Sequence, residues 1–320
     1  MKIQLVTPGP LRFNNGNKIT ALRWGGILRK LGHRVSITQH YDGHPCDLLI
    51  ALHARRSYES IERFYDDHPE LPLVVVLTGT DLYRDIRTHR KAQRSLELAT
   101  RLVALQKMAL IELPKRYHSK TRVIYQSAPP VRNRAAPWSD AKFKVCVIGH
   151  LRAEKDPLRT ALAERRLPAA SRIHVTHIGR ALDDALERRA RAEMKRNVRY
   201  RWIGEVSHGK TRSILAGSHL LVITSRMEGS SNVLSEALAS GVPVIASKIP
   251  GLMGTLGGNF AGYFPVGNTR RLRTLLLKSE SNHRFYQLLM RQCRRLASLV
   301  KPSRERSAWN RLLREICHSQ

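Results

Sequence analysis

The stretch that decides the fold is Leu220–Ser247, LLVITSRMEGSSNVLSEALASGVPVIAS. One apolar run opens it and another closes it, which is typical of buried parallel strands. Between these runs, a loop of small residues leads into a helical pattern that a Gly-Val-Pro segment ends. This order of strand, loop, helix and strand predicts one βαβ unit of a parallel sheet.

Two carboxylates lie in this unit, Glu228 in the loop and Glu236 about one turn into the helix. Ser230 or Ser231 is a suitable N-cap for that helix. A helix N-terminus offers free backbone N–H groups that suit phosphate, and a carboxylate accepts hydrogen bonds from hydroxyls such as those of a ribose. Two exposed glutamates at this spacing are also common, but in this βαβ context we interpret them as part of a binding site.

Apolar runs separated by helical segments continue along the whole chain. The first half contains KIQLVTP, RVSIT, DLLIALH, LVVVLTG, RLVALQ and RVIYQS, and the second contains FKVCVIGH, RIHVTHIG, RYRWIGEV, LLVIT, PVIAS and AGYFPVG. Nearly continuous hydrophobic runs indicate parallel strands that are covered on both faces. The sequence therefore predicts an α/β protein with two parallel sheets.

The segment APPVRNRAAPWSD holds three prolines and separates the two series, so it predicts an interdomain linker. We expect residues 1–137 to form an N-terminal Rossmann-like domain and residues 138–290 a second one. Residues 291–320 should form helices that cross back to the first domain. Ligands of open α/β sheets bind beyond the carboxyl ends of the strands, so the site should lie in the loops there.

The charge of the chain favours anionic partners. The 320 residues include 56 Lys and Arg against 25 Asp and Glu, a net charge of +31. Such a surface attracts nucleic acid, anionic membranes or anionic small substrates. Aromatic residues make up only 6% of the chain, and no zinc-finger or ribonucleoprotein motif is present, so we expect no specific nucleic acid. A weak contact with an anionic membrane surface is compatible with the charge.

The cysteines and the hydrophobic pattern favour a cytoplasmic location. The four cysteines are scattered without a CxxC pair, as expected of free thiols in a reducing compartment. No apolar run is long enough to span a bilayer. The histidines show no ligand-like spacing, so the sequence predicts no metal site.

From Glu228 onward, EGSSNVLSEALASGVPVIAS resembles the donor-site signature of glycosyltransferase family 4. Members of that family have the α/β GT-B fold, in which two Rossmann-like domains face each other across a cleft. The segment GHLRAEK at Gly149–Lys155 lies where the family has its diphosphate-binding arginine and lysine. NNGN at Asn14–Asn17 lies at the family's glycine loop. The resemblance covers nearly the whole chain.

The resemblance also implies roles for individual residues. Glu236 would hold the donor ribose, and Glu228 would lie near the sugar. Lys155 and Arg152 would offset the negative charge of the departing diphosphate. Because His150 occupies the usual arginine position, the choice between His150 and Arg152 stays open. The further donor contacts implied are Gly16, Asn17, Ser230, Ser231, Asn232 and Val233.

The acceptor side departs from the family pattern. Many relatives carry a histidine after a central strand of the first domain, where this chain has Thr78–Asp81. Hydroxyls and a backbone turn suit an anion better than they suit the deprotonation of an alcohol. The segment ALHARRS adds arginines at another strand end. We expect the acceptor at Thr78, Thr80 and Arg55.

Four segments, ALHARRS, LTGTDLYRDIR, VIYQSAPP and GHLRAEKDPLR, resemble the selenosugar synthases of selenoneine biosynthesis, a group of family 4-like glycosyltransferases. This resemblance implies transfer of the sugar of a UDP-sugar, UDP-N-acetylglucosamine being the expected donor, to selenophosphate. A C–Se bond forms and UDP leaves, without a cofactor. Selenophosphate is already nucleophilic, so a dedicated general base is less needed.

Two alternatives stay open. The +31 charge favours a family 4 enzyme that glycosylates a lipid or polysaccharide hydroxyl at a membrane. A basic RNA-binding or scaffold protein without activity is the second alternative. The presence of Glu228, Glu236 and Lys155 argues against it.

Overall fold

The computed structural model describes residues 1–9, 15–131 and 137–318. Asn14 of the predicted glycine loop and residues 132–136 of the predicted linker lie outside these ranges. Strands within the ranges are β1 Lys2–Val6, β2 Arg34–Thr38, β3 Leu48–Leu52, β4 Leu73–Leu77, β5 Arg101–Ala104, β6 Thr121–Val123, β7 Phe143–Ile148, β8 Ile173–Ile178, β9 Tyr200–Trp202, β10 Leu220–Ile223, β11 Val244–Ser247 and β12 Tyr263–Phe264. Each predicted apolar run overlaps one of these strands.

Helices alternate with the strands. They are α1 Gly16–Lys30, α2 Tyr58–Asp67, α3 Ile86–Thr88, α4 Arg90–Leu98, α5 Ala109–Glu112, α6 Arg159–Glu164, α7 Asp184–Arg196, α8 His208–Ala216, α9 Asn232–Ala239, α10 Pro250–Leu256, α11 Thr269–Ser281, α12 His283–Leu296 and α13 Pro302–Cys317. A π-helical turn covers Asp81–Asp85, and 3-10 turns cover Lys115–Tyr117, Ala153–Lys155 and Ala297–Val300. The predicted α/β class is confirmed.

The first compact unit, unit 1, consists of Met1–Ser127, Glu228–Asn232 and the chain from Lys301 onward. Its parallel sheet has the order β2-β1-β3-β4-β5-β6. Side chains alternate between the two faces of a strand, and those of β3 contribute to two different cores. Leu49 and Ala51 pack in one core, whereas Leu48, Ile50 and Leu52 pack in the other. The sheet of unit 1 is therefore covered on both faces.

The second compact unit, unit 2, consists of Ala128–Met227 and Val233–Val300. Its parallel sheet has the order β12-β11-β10-β7-β8-β9, and every residue of β10 and β11 is buried. The predicted boundary after residue 137 lies inside unit 2, because the backbone N–H of Ala128 donates to the carbonyl of Val300 at 3.1 Å. Helix α12 also packs in unit 2, against β11 and α10.

A buried carboxylate fastens α13 within unit 1. Glu305 is fully buried and accepts hydrogen bonds from Trp24 Nε1 at 2.6 Å, Arg23 Nε at 3.0 Å and the backbone N–H of Ser127 at 3.1 Å. The indole of Trp309, one turn further along α13, packs edge-on against Trp24 with ring centroids 4.8 Å apart. Because these partners satisfy the buried charge, α13 is held by polar and apolar contacts together.

Replacement of Glu305 by alanine should destabilise the protein by about 3–5 kcal/mol, because it leaves the buried donors of Arg23 and Trp24 without their acceptor. Urea denaturation measures the change in the free energy of unfolding. Glu315→Ala is the matched control on the same helix. Glu315 pairs with Arg122 at 2.7 Å near the surface, so its loss should cost about 0–1 kcal/mol. An equal loss in the free energy of unfolding in the two variants would contradict the role of Glu305 as a buried anchor of α13.

Candidate active site

The loop that follows β7 brings the predicted diphosphate-binding residues together within unit 2. Arg152 precedes the 3-10 turn Ala153–Lys155, and the next residue, Asp156, has a φ of 45°. The hydroxyl of Thr224, at the end of β10, donates to the carbonyl of Lys155 at 2.8 Å. This bond holds the backbone of Lys155 against the end of β10 within unit 2.

Two residues that the sequence analysis missed fix the backbone of this loop. His177 Nε2 donates to the carbonyl of Gly149 at 3.0 Å, while its Nδ1 contacts the hydroxyl of Tyr200 at 2.8 Å. Burial lowers the pKa of His177 to about 4, so the ring is neutral near pH 7. At Gly179 (φ 153°), a Cβ would lie 2.0 Å from the carbonyl oxygen of Gly149. Only glycine permits this approach.

The three residues of this loop that were predicted to contact the diphosphate differ in their surroundings. His150 Nδ1 accepts the backbone N–H of Arg180 at 3.1 Å, which turns the imidazole toward the loop after β8. The side chain of Lys155 runs along Gly149. Arg152 Nε is buried and has no partner among the described residues. A buried guanidinium N–H without an acceptor is a natural contact for an anionic oxygen.

Glu236 lies in α9 with its side chain 9% exposed. Its Oε1 lies 2.7 Å from His208 Nε2, at the first position of α8. Ser207 caps α8 by accepting a hydrogen bond from the backbone N–H of Lys210. The predicted ribose-binding carboxylate is therefore nearly buried and already holds one partner within unit 2.

The loop Glu228–Asn232 packs within unit 1. The side chain of Asn232 accepts from Arg23 Nη1 at 2.8 Å and donates to the carbonyl of Gly16 at 3.3 Å. A Cβ on Gly229 would lie 2.3 Å from the carbonyl oxygen of Thr78. A side chain at position 229 would therefore collide with the backbone that follows β4.

The predicted site residues thus divide between the two units. Unit 1 holds the glycine-loop residues, the loop after β10 and the predicted acceptor residues: Gly16, Asn17, Arg55, Thr78, Thr80, Glu228, Ser230, Ser231 and Asn232. Unit 2 holds His150, Arg152, Lys155, Val233 and Glu236. Ser231 is buried, whereas Asn17, Glu228, Ser230 and Val233 are half-buried.

A buried carboxylate organises the predicted acceptor loop. Asp81 is completely buried and accepts backbone N–H groups from Ala54 at 3.0 Å, Thr78 at 3.0 Å and Gly79 at 2.7 Å. These donors follow β3 and β4, so Asp81 joins the ends of two neighbouring strands. Because its oxygens are occupied by amides, Asp81 has a structural role in this loop.

A histidine lies beside the predicted acceptor threonine. His53 follows β3, has a φ of 75° and places Nε2 2.9 Å from Thr80 Oγ1. Its Nδ1 accepts the backbone N–H of Arg56 at 3.2 Å. An N–H group only donates, so Nδ1 carries no proton, and Nε2–H donates to Thr80. Thr80 can then donate its own hydroxyl proton to a ligand.

Arg55 has a partner in unit 1. Its Nη1 lies 3.4 Å from Asp85 Oδ1, which also accepts Arg84 Nε at 3.1 Å. The side chain of Arg55 is 42% exposed, so its charge is partly neutralised but stays accessible. The positive charge that Arg55 offers to an acceptor is therefore weaker than the sequence alone indicates.

The described part of the chain contains no cluster of three or more His, Cys, Asp or Glu residues that could hold a metal ion. None of its helices combines the length and the hydrophobicity that crossing a membrane requires.

Residues 132–287 match the family model of the glycosyl transferases group 1. This segment is similar to the group 1 glycosyltransferases. The matched range is close to the predicted second domain, and it includes Lys155, Glu228 and Glu236. The match agrees with the predicted resemblance to glycosyltransferases, whereas the narrower resemblance to selenosugar synthases stays a prediction.

Solved structures agree with this glycosyltransferase fold. Sucrose-phosphate synthase from Thermosynechococcus elongatus has a TM-score of 0.79 at 15% identity, over 100% of both chains. HepE from Anabaena, in complex with UDP and glucose, has a TM-score of 0.75 at 15% identity, over 98% of this chain and 99% of that one. A glycosyltransferase from Rickettsia africae ESF-5 has a TM-score of 0.76 at 12% identity, over 100% and 99%. The predicted GT-B fold is confirmed.

Gly229→Ala should destabilise the protein, because the new Cβ would overlap the carbonyl of Thr78. Overpacking of this kind costs about 1–3 kcal/mol. Gly26→Ala is the control in unit 1, since a Cβ on this α1 residue would meet nothing within 4 Å. Alanine there should stabilise the helix by roughly 0.5–1 kcal/mol. Urea denaturation of both variants should show a lower free energy of unfolding for Gly229→Ala and a higher one for Gly26→Ala. An unchanged free energy of unfolding in Gly229→Ala would contradict the close packing of Gly229 against Thr78.

Proposed function

We propose that this protein transfers the sugar of a UDP-sugar, with UDP-N-acetylglucosamine as the expected donor, to selenophosphate. The family match of residues 132–287 supports glycosyl transfer. HepE, which has a similar fold, was crystallised with UDP and with UDP-glucose, and this supports a uridine-nucleotide donor. The resemblance in four sequence segments supports selenophosphate as the acceptor.

In this proposal the donor diphosphate binds the loop after β7. Arg152 provides a buried N–H group that has no acceptor among the described residues, and Lys155 adds a second positive charge nearby. His150 accepts a backbone N–H group through Nδ1, so its own contact with the diphosphate would be made by Nε2–H. Positive charge at this position stabilises the diphosphate as the sugar–phosphate bond breaks. Glu236 accepts a hydrogen bond from the ribose.

The observation that carries the acceptor proposal is the bonding of His53 and Asp81. An alcohol acceptor needs a base that removes its proton. Both nitrogens of His53 are engaged, one as acceptor and one as donor, and the Asp81 oxygens are occupied by amides. Thr80, in contrast, has a hydroxyl proton to donate. This arrangement suits a nucleophile that arrives as an anion.

The transfer step follows from this arrangement. A selenium lone pair of selenophosphate attacks the anomeric carbon of the sugar and forms the C–Se bond. The bond from that carbon to the oxygen of the β-phosphate breaks, and UDP leaves with the electron pair. No proton has to be removed from the nucleophile, and its phosphoryl group stays on selenium in this step. The positive charge near Lys155 and Arg152 meets the charge that develops on UDP.

Thr80→Val should raise the KM for selenophosphate by roughly tenfold, the equivalent of about 1.4 kcal/mol for one hydrogen bond to a charged group. The dissociation constant for UDP should stay nearly unchanged. Thr88→Val is the matched control, because Thr88 is exposed on α3. Steady-state kinetics with both substrates varied gives the KM values, and thiophosphate should compete with selenophosphate.

Efficient transfer to neutral alcohols, without inhibition by phosphate-like anions, would contradict the anionic acceptor. It would favour the second candidate, a glycosyltransferase acting on a lipid or polysaccharide hydroxyl. The segment Lys107–Arg116 supports that candidate, since Ile111 is 73% exposed among exposed basic residues. Gln106 Nε2, beside this segment, donates to the hydroxyl of Tyr83 at 2.9 Å. Co-sedimentation with anionic liposomes distinguishes the two candidates.

A further inference from the structure

The sequence predicted Glu236 as a ligand-binding carboxylate but gave it no protein partner. The structure places His208 against it, with Nε2 2.7 Å from Oε1. The two residues lie on different helices of unit 2, twenty-eight positions apart in the chain. His208 is half-exposed, with 51% of its side chain accessible, whereas Glu236 is 9% accessible. The carboxylate is therefore the buried member of the pair, and the imidazole contacts one of its two oxygens.

The protonation of the pair follows from its chemistry. An ionised carboxylate only accepts hydrogen bonds, so the proton between the two groups belongs to Nε2 of His208. His208 engages only Oε1 of Glu236, so the second oxygen, Oε2, can accept a hydrogen bond from a ligand. Because one oxygen is held, the carboxylate has a fixed orientation before any ligand arrives. A glutamate side chain otherwise loses substantial rotamer freedom when it is immobilised.

We infer that His208 is a positioning residue, which orients Glu236 so that Oε2 receives a ribose hydroxyl of the nucleotide. This inference rests on the proposed function, in which Glu236 binds the donor ribose. His208 itself does not touch the nucleotide in this scheme. It lowers the cost of binding by ordering the carboxylate in advance, which is the general effect of preorganisation.

The alternative is that the bond merely fastens α8 to the rest of unit 2. Helix α8 has other anchors, since Ser207 caps it and Thr211, Leu215 and Ala216 are buried. Loss of a half-exposed side chain at its first turn should therefore change the free energy of unfolding very little. A positioning role should instead appear only for ligands that carry the ribose hydroxyls.

The test is calorimetric titration of UDP and of 2′,3′-dideoxy-UDP into four proteins: the wild type, His208→Ala, His208→Gln and Glu236→Gln. Lys210→Ala, in the same turn of α8, is the matched control. His208→Ala should bind UDP about five- to tenfold more weakly and bind the dideoxy nucleotide as the wild type does. His208→Gln should restore much of the affinity, because its amide can donate to Oε1. The double variant His208→Ala/Glu236→Gln should bind no more weakly than Glu236→Gln alone.

Three results would overturn the inference: unchanged UDP binding by His208→Ala, an equal loss for UDP and its dideoxy analogue, or additive losses in the double variant. Each of these leaves the donor proposal intact if Glu236→Gln still weakens UDP binding. A wild-type protein that does not bind UDP would instead contradict the proposed function itself. The two failures are therefore distinguishable in one set of titrations.

Discussion

The buried charge of Glu305 is the constraint on which the candidate site of unit 1 depends. Its oxygens hold Trp24 and Arg23 of α1 and the backbone of Ser127 at the end of the first strand series. Arg23 then extends its Nη1 to Asn232, at the end of the loop that follows β10. Helix α13 thereby positions the loop Glu228–Asn232, which lies some seventy residues earlier in the chain. A buried carboxylate with several donors fixes such an arrangement because any displacement leaves charge without a partner.

The loop Glu228–Asn232 and the acceptor loop share the backbone contact at Gly229. The backbone N–H groups of Thr78 and Gly79 both donate to Asp81, which fixes this turn. The loop Glu228–Asn232 packs against the fixed turn at Gly229. In unit 2, His177 and Gly179 hold the loop of Gly149 in a comparable way. Each candidate binding loop thus rests on a neighbouring strand end, which holds its backbone in place before a ligand binds.

Much of the fold could be predicted from the sequence, because hydrophobic runs such as LVVVL and LLVIT mark buried parallel strands locally. The helix after Glu228 could be predicted in the same way, and α9 ends at Ala239, just before the Gly-Val-Pro segment. Long-range partners carry no such local signal. The packing of Gly229 against Thr78 and the bond between His208 and Glu236 join residues far apart in sequence. The tautomer of His53 also required the position of the Arg56 amide, which no residue pattern reveals.

The central claim, that this protein forms a selenium-linked sugar from a UDP-sugar, is tested most directly by product analysis. The purified protein is incubated with UDP-N-acetylglucosamine and selenophosphate, and the products are separated and examined by mass spectrometry, with inorganic phosphate as the alternative acceptor. The account predicts release of UDP together with a sugar product that shows the isotope pattern of selenium, and the loss of both with Lys155→Ala. UDP release with transfer only to hydroxyl acceptors, and no selenium in any product, would contradict it.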